Sequence, residues 1–149
     1  MKTDIMGIAF DNVTMQEALD KASAILRGDK TCYAVTPNAE IAYEAMKDER
    51  LRALINGADL VLPDGAGVVL ASKLLKTPLK QKVAGVDFAD GLLGLLAESG
   101  RSVYLLGSKP GVAELAAEKM REKHPGLIIC GMHDGYFKDE EPVIEAVNV

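Results

Sequence analysis

No apolar stretch in this chain approaches membrane-spanning length. The opening Met1-Lys2-Thr3-Asp4 leads into a short apolar run without the h-region and cleavage site of a signal peptide. These absences predict a chain that is neither transmembrane nor secreted by that route. Cysteine is scarce: Cys32 and Cys130 each lie in an apolar run that reads as a strand, far from any CxxC or Cys/His cluster. They are expected to be reduced core residues of a cytosolic protein. A basic surplus and a basic tail are also missing, and the formal net charge is −5. That argues against a nucleic-acid binder, whose affinity comes largely from neutralising phosphates with Lys and Arg. There is no fixed-period repeat, low-complexity segment, Walker A loop, GxGxxG, nucleophile elbow, HExxH or credibly placed cysteine nucleophile.

What remains is ordinary in bulk. The 149 residues, 48% apolar and 26% charged, predict one domain with a substantial core. The stretch that organises the chain is Ala58-Asp59-Leu60-Val61-Leu62-Pro63-Asp64-Gly65-Ala66-Gly67, an apolar strand entering a tight turn before the helical pattern from Val68 to Leu75. In an open α/β sheet, ligands bind outside the carboxyl ends of strands, where Asp64 falls. Gly65 and Gly67 would let backbone N–H groups approach a ligand, and the helix N-terminus favours an anion such as a phosphate. Read alone, Asp64 serves either as a ligand-facing carboxylate or as the N-cap of that helix.

Around it, Ile5 to Phe10 reads as a first strand, and Thr14 with Glu17 forms a capping box that opens a helix stopped by Gly28. Thr31 to Val35 is a second strand; Asn38 caps the helix after it, and Asp48 caps a shorter helix closing at Gly57. From Lys76 to Val83 the rhythm breaks. One reading is a solvated connection whose leucines tuck under the sheet; the other is a basic-apolar edge, Lys73, Lys76, Lys80 and Lys82 among Leu74, Leu75 and Leu79, that meets an anionic lipid head group. Gly85-Val86-Asp87 then caps an apolar helix ending near Gly100. Ser102 to Leu106 is a strand turned by Gly107-Ser108-Lys109-Pro110-Gly111 into a helix, Leu127 to Cys130 is another, and Asp139 or a neighbour opens the last helix.

Alternating strands and helices predict an α/β fold, a Rossmann-like, mainly parallel sheet with helices on both faces. The loops after the Thr36, Asp64, Gly107 and Gly131 strands should then share one rim, pooling Thr36, Asn38, Asp64, Ser108, Lys109, His133, Asp134 and Tyr136. Asp64, Asp134 and His133 offer metal donors, but no Asp-x-Asp pair or spaced His cluster supports a metal site. The set suits a nucleotide-linked substrate and a proton-abstracting carboxylate. Asn38 reads more readily as an N-cap than as a sugar ligand, His133 as a brace within its loop, and Tyr136 either stacks on a base or closes the loop as a partly buried ring.

Five segments, Val35-Thr36-Pro37-Asn38, Leu62 to Val68, Val83-Ala84-Gly85-Val86-Asp87, Tyr104 to Gly111 and Gly131 to Phe137, taken in this order over nearly the whole chain, resemble the bacterial WecG/TagA/CpsF glycosyltransferase family, closest to its TagA-type branch. The resemblance implies a GT-E type fold. It also implies transfer of N-acetylmannosamine, with inversion, from UDP-ManNAc to the 4-hydroxyl of undecaprenyl-diphosphate-linked GlcNAc in wall teichoic acid synthesis. No cofactor and no essential metal are implied. Asp64 matches the family's proposed general base, with Thr36 as its catalytic neighbour. Substrate-binding positions fall on Asn38, Gly65, Gly67, Lys82, Gly85 and Asp87, and on Gly107, Ser108, Lys109 and Tyr136 at the UDP side. Lys82 stands where the family usually has Arg, keeping charge but losing the bidentate fork.

The implied partners are a UDP-sugar donor, a polyprenyl-diphosphate-linked acceptor and the cytoplasmic face of the membrane, where the protein would sit peripherally. A homo-oligomer is expected from core surface exposed where family chains continue into a further strand and a membrane-engaging appendage; the chain ending at Val149 reads as C-terminally truncated. Two rivals are a family transferase using another UDP-sugar such as UDP-ManNAcA, and a catalytically silent binding module. A Rossmann-like dinucleotide enzyme is disfavoured, because the first strand ends at Phe10-Asp11-Asn12 without GxGxxG.

Overall fold

The computed structural model describes residues 1–147; the end at Val149, beyond which the alternation predicts a further strand, lies outside them. The chain divides into two compact units, Met1–Asp90 and Gly91–Val149. Both are mixed α/β.

The first unit begins with a hairpin, β1 (Lys2–Ile5) and β2 (Ile8–Asp11), where one continuous strand from Ile5 to Phe10 is expected. Met6 and Gly7 both take positive φ, 58° and 81°, giving a two-residue turn whose twist matches the flanking strands. Asp4 accepts the Gly7 N–H, and Asn56 bridges the turn by accepting from Ala9 N–H and donating to the Gly7 carbonyl. Helix α1 (Met15–Leu26) starts at the expected capping box: Thr14 Oγ1 accepts the Glu17 N–H at 3.2 Å and Glu17 Oε2 accepts the Thr14 N–H at 2.8 Å. Asn38 and Asp48 cap α2 (Ala39–Lys47) and α3 (Glu49–Asn56) as expected.

Glu17 also receives Lys80 at 2.7 Å. That hydrogen bond first, and the Thr14 N–H second, hold the Glu17 carboxyl below the usual glutamate range. A depressed carboxyl contributes stability that is complete above the unfolded value, roughly 4.3 for glutamate, and lost as pH falls through the lower folded value. Wild type should therefore lose more thermal midpoint than Glu17→Gln between pH 7 and 3. Equal losses would show that the Lys80 and Thr14 contacts are not felt in solution.

The central pair is parallel: β3 (Ala34–Val35) beside β4 (Leu60–Val61). Each strand is shorter than the pattern predicts, and the β1–β2 hairpin and the β3–β4 pair remain separate two-stranded sheets. A side chain explains part of this. The Val61 N–H goes to Asp11 Oδ2 at 3.1 Å rather than to a neighbouring backbone carbonyl. The core of this unit gathers Ile5, Ile8, Phe10, Ala42, Ala45, Ile55, Val61 and Val68. Helix α4 (Ala66–Leu74) leaves β4, and a loop leads to α5 (Gly85–Ser99), within which the unit boundary falls. The leucines at the end of α4 and in that loop do not all tuck in: Leu79 is buried, but Leu74 is 76% and Leu75 53% exposed.

In the second unit β5 (Ser102–Leu106), with the expected bounds, pairs in parallel with β6 (Ile128–His133), which runs three residues past its expected end. Between them lies α6 (Val112–Lys123), and α7 (Glu141–Val147) follows, its first N–H accepted by Asp139. A register shift sits where Gly131 faces Tyr104; a Cβ at position 131 would run into the Tyr104 ring, so glycine lets the aromatic ring lie over the strand. The cysteines depart from expectation. Cys32 is half-buried, its thiol pushed up first by burial and then by the Asp59 carboxylate; Cys130 is exposed, its Sγ 3.4 Å from the Val103 carbonyl.

Candidate active site

The site residues divide between the units. Thr36, Asn38, Asp64, Gly65, Gly67, Lys82, Gly85 and Asp87 belong to the first, and Gly107, Ser108, Lys109 and Tyr136 to the second.

In the first unit, the carboxyl ends of parallel β3 and β4 bring three loops together. Leu62 N–H donates to the Val35 carbonyl at 2.8 Å and Asp64 N–H to that of Pro37 at 3.4 Å, carrying the pairing past the strand ends. The loop before α5 joins them: Val83 N–H donates to the Pro63 carbonyl at 2.9 Å, and Gly85 N–H to Asp64 Oδ2 at 3.1 Å. Val83 is fully buried, which pins this loop.

Asp64 is therefore not the N-cap of its own helix. Gly65 holds that position for α4 with no side-chain cap bond, at φ 87° and ψ 153°, a region essentially closed to residues with a Cβ. The half-buried Asp64 carboxylate reaches instead to the first residue of α5, twenty-one positions on. Oδ1 makes no hydrogen bond among the described residues. The result is a carboxylate at the junction of three helix starts, α2, α4 and α5, whose amide ends favour negative charge.

Glycines make this junction close. A Cβ on Gly85 would come within 2.8 Å of Thr36 Oγ1 and 3.1 Å of Thr36 Cβ, so Thr36 packs directly on the residue that holds Asp64. A Cβ on Gly67 would come within 2.9 Å of Ala39 Cβ, which sets α4 against the start of α2. Asn38 spends its Oδ1 on the Ile41 N–H at 2.9 Å, the capping role. Lys82 and Asp87 are exposed. Asp87 lies inside the first turn of α5, which begins at Gly85, so it does not cap that helix as expected. Asp64, Thr36, Gly85, Gly65 and Gly67 are thus brought together. The role of Gly85 as donor to Asp64 escaped sequence reasoning, and its only signal was its place in the Val83 to Asp87 segment.

In the second unit, the ends of β5 and β6 are tied in the same manner. Gly107 N–H donates to the His133 carbonyl and Gly135 N–H to the Ser108 carbonyl, both at 2.9 Å. Gly107, Ser108 and Gly111 have positive φ, 128°, 68° and 85°, so the backbone turns sharply ahead of α6, whose N-cap is Gly111. Beside the turn, an open groove of about 390 Å³ is lined by Leu106, Gly107, Ser108, Val112 and Met120 among others. Lys109 is exposed, as is Tyr136 at 70%, so the Tyr136 ring does not close its loop. Phe137 does, meeting the His133 ring edge-on at 5.8 Å, while His133 Nδ1 lies 2.7 Å from the Asp134 carbonyl. His133 is thus the last residue of β6 and a brace. Among the described residues, no group of three His, Cys, Asp or Glu side chains is placed to hold a metal.

Residues 3–149 match the model of the Glycosyl transferase WecG/TagA/CpsF family. An N-acetylglucosaminyldiphosphoundecaprenol N-acetyl-beta-D-mannosaminyltransferase of Bacillus spizizenii is 37% identical over 119 residues, covering 80% of this chain and 46% of that protein. The protein of the same name from Staphylococcus aureus strain NCTC 8325 is 30% identical over 150 residues, covering 99% of this chain and 59% of that protein. The chain spans about half the length of the curated relatives it matches.

Proposed function

Since the chain belongs to the WecG/TagA/CpsF glycosyltransferase family, we propose that it is the Rossmann-like, GT-E type catalytic part of an inverting glycosyltransferase with Asp64 as general base. The observation that carries the reading is the Asp64 carboxylate, held by the Gly85 N–H at 3.1 Å where α2, α4 and α5 begin. The transferred sugar is N-acetylmannosamine and the acceptor an undecaprenyl-diphosphate-linked GlcNAc, as the relatives' names say of those proteins; the donor in this reading is UDP-ManNAc.

Asp64 takes the proton of the acceptor 4-hydroxyl as its oxygen attacks the anomeric carbon. The bond from that carbon to the diphosphate oxygen breaks on the opposite face, UDP departs with the electron pair, and the configuration inverts. A positioned base of this kind contributes about 10²–10⁴-fold. The Gly85 N–H fixes the carboxylate, and Thr36, packed on Gly85, borders the acceptor position. Within the first unit, Asn38, Gly65, Gly67, Lys82 and Asp87 are the sugar- and phosphate-binding positions of this reading; within the second, Gly107, Ser108, Lys109 and Tyr136 are its UDP-binding positions. No metal is required in this reading, since helix starts and Lys82 meet the diphosphate charge. The protein acts as a homo-oligomer, peripherally at the cytoplasmic membrane face; no helix among the described residues is long and apolar enough to cross a membrane.

Titration calorimetry of this chain with UDP, with and without Mg²⁺, is expected to give saturable heat that does not depend on the metal, and none with NAD. Heat with NAD alone, or with UDP only when Mg²⁺ is present, would overturn the respective part of the reading. A panel of UDP-sugars then separates UDP-ManNAc from UDP-ManNAcA.

A further inference from the structure

Residues 65–86 contain four lysines, Lys73, Lys76, Lys80 and Lys82, and no aspartate or glutamate, in a chain whose formal net charge is −5. Within this segment α4, Ala-Gly-Val-Val-Leu-Ala-Ser-Lys-Leu, is apolar nearly all round. A helix of that composition is ordinarily buried on every side. Here only Val68 and Ser72 are buried, while Leu70 is 60% and Leu74 76% exposed. Leu70, Lys73 and Leu74 stand at i, i+3 and i+4, on one face.

The turn after α4 explains why the leucines point out. The fully buried Ser72 donates its Oγ–H to the Val69 carbonyl at 2.7 Å and accepts the Leu79 N–H at 3.1 Å, and Thr77 N–H returns to the Ser72 carbonyl at 3.0 Å. Lys76 takes φ 59° to make the reversal. Leu79 is drawn into the core, and Leu75 is left outside beside Lys76. Lys80 is engaged by Glu17, whereas Lys73 and Lys76 are exposed with no ion pair among the described residues. Across a shallow groove from Thr77 and Pro78 lie Lys2 and Asp4, the Asp4 carboxylate accepting the Gly7 N–H. The surface is therefore apolar at its centre and basic at its margin, and its shape is set by buried hydrogen bonds.

We propose that the outer face of α4 and the turn after it dock on a bilayer containing anionic phospholipid. Leu70, Leu74 and Leu75 enter the boundary between head groups and acyl chains, and Lys73 and Lys76 meet the phosphates. Charge complementarity selects this occupant: residues 65–86 carry four lysines and no acid, and Lys73 and Lys76 border exposed leucines, so the face matches a surface that is anionic outside and apolar beneath, as a phosphatidylglycerol bilayer is. In purpose the inference rests on the lipid-linked acceptor proposed above: α4 starts next to Asp64 and its nine residues span roughly 13 Å, so docking at its far end would hold the site near the membrane.

The test is flotation of this chain with vesicles of phosphatidylcholine alone and of phosphatidylcholine with phosphatidylglycerol. Partitioning onto the anionic vesicles is expected to exceed that onto neutral ones by about tenfold or more, and to fall by a similar factor in Lys73→Glu/Lys76→Glu, in Leu70→Ser/Leu74→Ser and at high salt. Lys119→Glu/Arg121→Glu, with the same change in net charge, should bind as wild type. Equal partitioning onto both vesicles, no partitioning, or an equal loss in the Lys119/Arg121 variant would overturn the proposal. So would unchanged flotation of Leu70→Ser/Leu74→Ser together with loss of a dimer in sedimentation equilibrium, which would make the face a contact between copies. UDP calorimetry on the same variants separates the two readings: UDP heat without vesicle binding removes this inference alone, and vesicle binding without UDP heat removes the transferase assignment alone.

Discussion

Asp64→Asn is expected to slow sugar transfer by about 10²–10⁴-fold, the contribution of a positioned general base, with UDP affinity and unfolding free energy nearly unchanged. Asparagine is nearly isosteric, and its side-chain oxygen still accepts the Gly85 N–H that Asp64 Oδ2 accepts at 3.1 Å. What it lacks is the capacity to take the acceptor proton. The measurement is kcat and KM for transfer, beside the calorimetric affinity for UDP. A fall in kcat with steady UDP affinity fits the base. Full activity would leave Asp64 as a brace between two loops, which its bond to Gly85 alone would justify. Asp64→Ala adds a discriminating arm: it loses the acceptor too, so the Gly85 amide and Thr36 packed on it lose their anchor, and the unfolding free energy should drop where Asp64→Asn leaves it unchanged.

The second large effect lies away from the chemistry. Asp11→Ala is expected to cost about 2–4 kcal/mol of unfolding free energy, read by denaturant titration. Asp11 is 2% exposed; its Oδ1 receives Lys21 at 2.6 Å and its Oδ2 the Val61 N–H at 3.1 Å. Alanine strands the buried amide of Val61, the last residue of β4, a penalty of about 1–3 kcal/mol. It also leaves Lys21 unpaired, and because that side chain is 44% exposed the second loss is reduced by solvent. Asp11→Asn keeps an acceptor for Val61 and should lose less than half as much. A loss below about 1 kcal/mol for alanine would mean that water satisfies Val61, so that the carboxylate is not what anchors β4. Since β4 ends three residues before Asp64, the variant should also disturb UDP binding or transfer more than an equally destabilising change elsewhere.

Much of the local structure was legible because its causes are local. The Thr14/Glu17 box and the Asn38 and Asp48 caps join residues two or three positions apart, and β5 is bounded where its apolar run starts and stops. The hairpin turn was missed because Met6 masks it: positive φ at a methionine has no composition signal, and the neighbouring Gly7 alone reads as a residue within a strand. Tyr136 and Phe137 share one loop and one apolar character, and only the position of the His133 ring decides which of them packs.

By itself the sequence determined that the chain is mixed α/β, where most helices begin, and that Asp64 and its glycines end a strand beside a helix start, since these follow from periodicity, capping chemistry and the conformations open to glycine. Five short segments in order also determined the family. Tertiary structure alone decided what Asp64 caps, which carboxylate receives the Val61 amide, and that Leu74 and Leu75 face outward while Leu79 goes in. The physical reason is sequence distance. Gly85 lies 21 residues from Asp64 and Val61 lies 50 from Asp11; no propensity or spacing rule reaches that far, because such bonds form only once the core has brought the loops together.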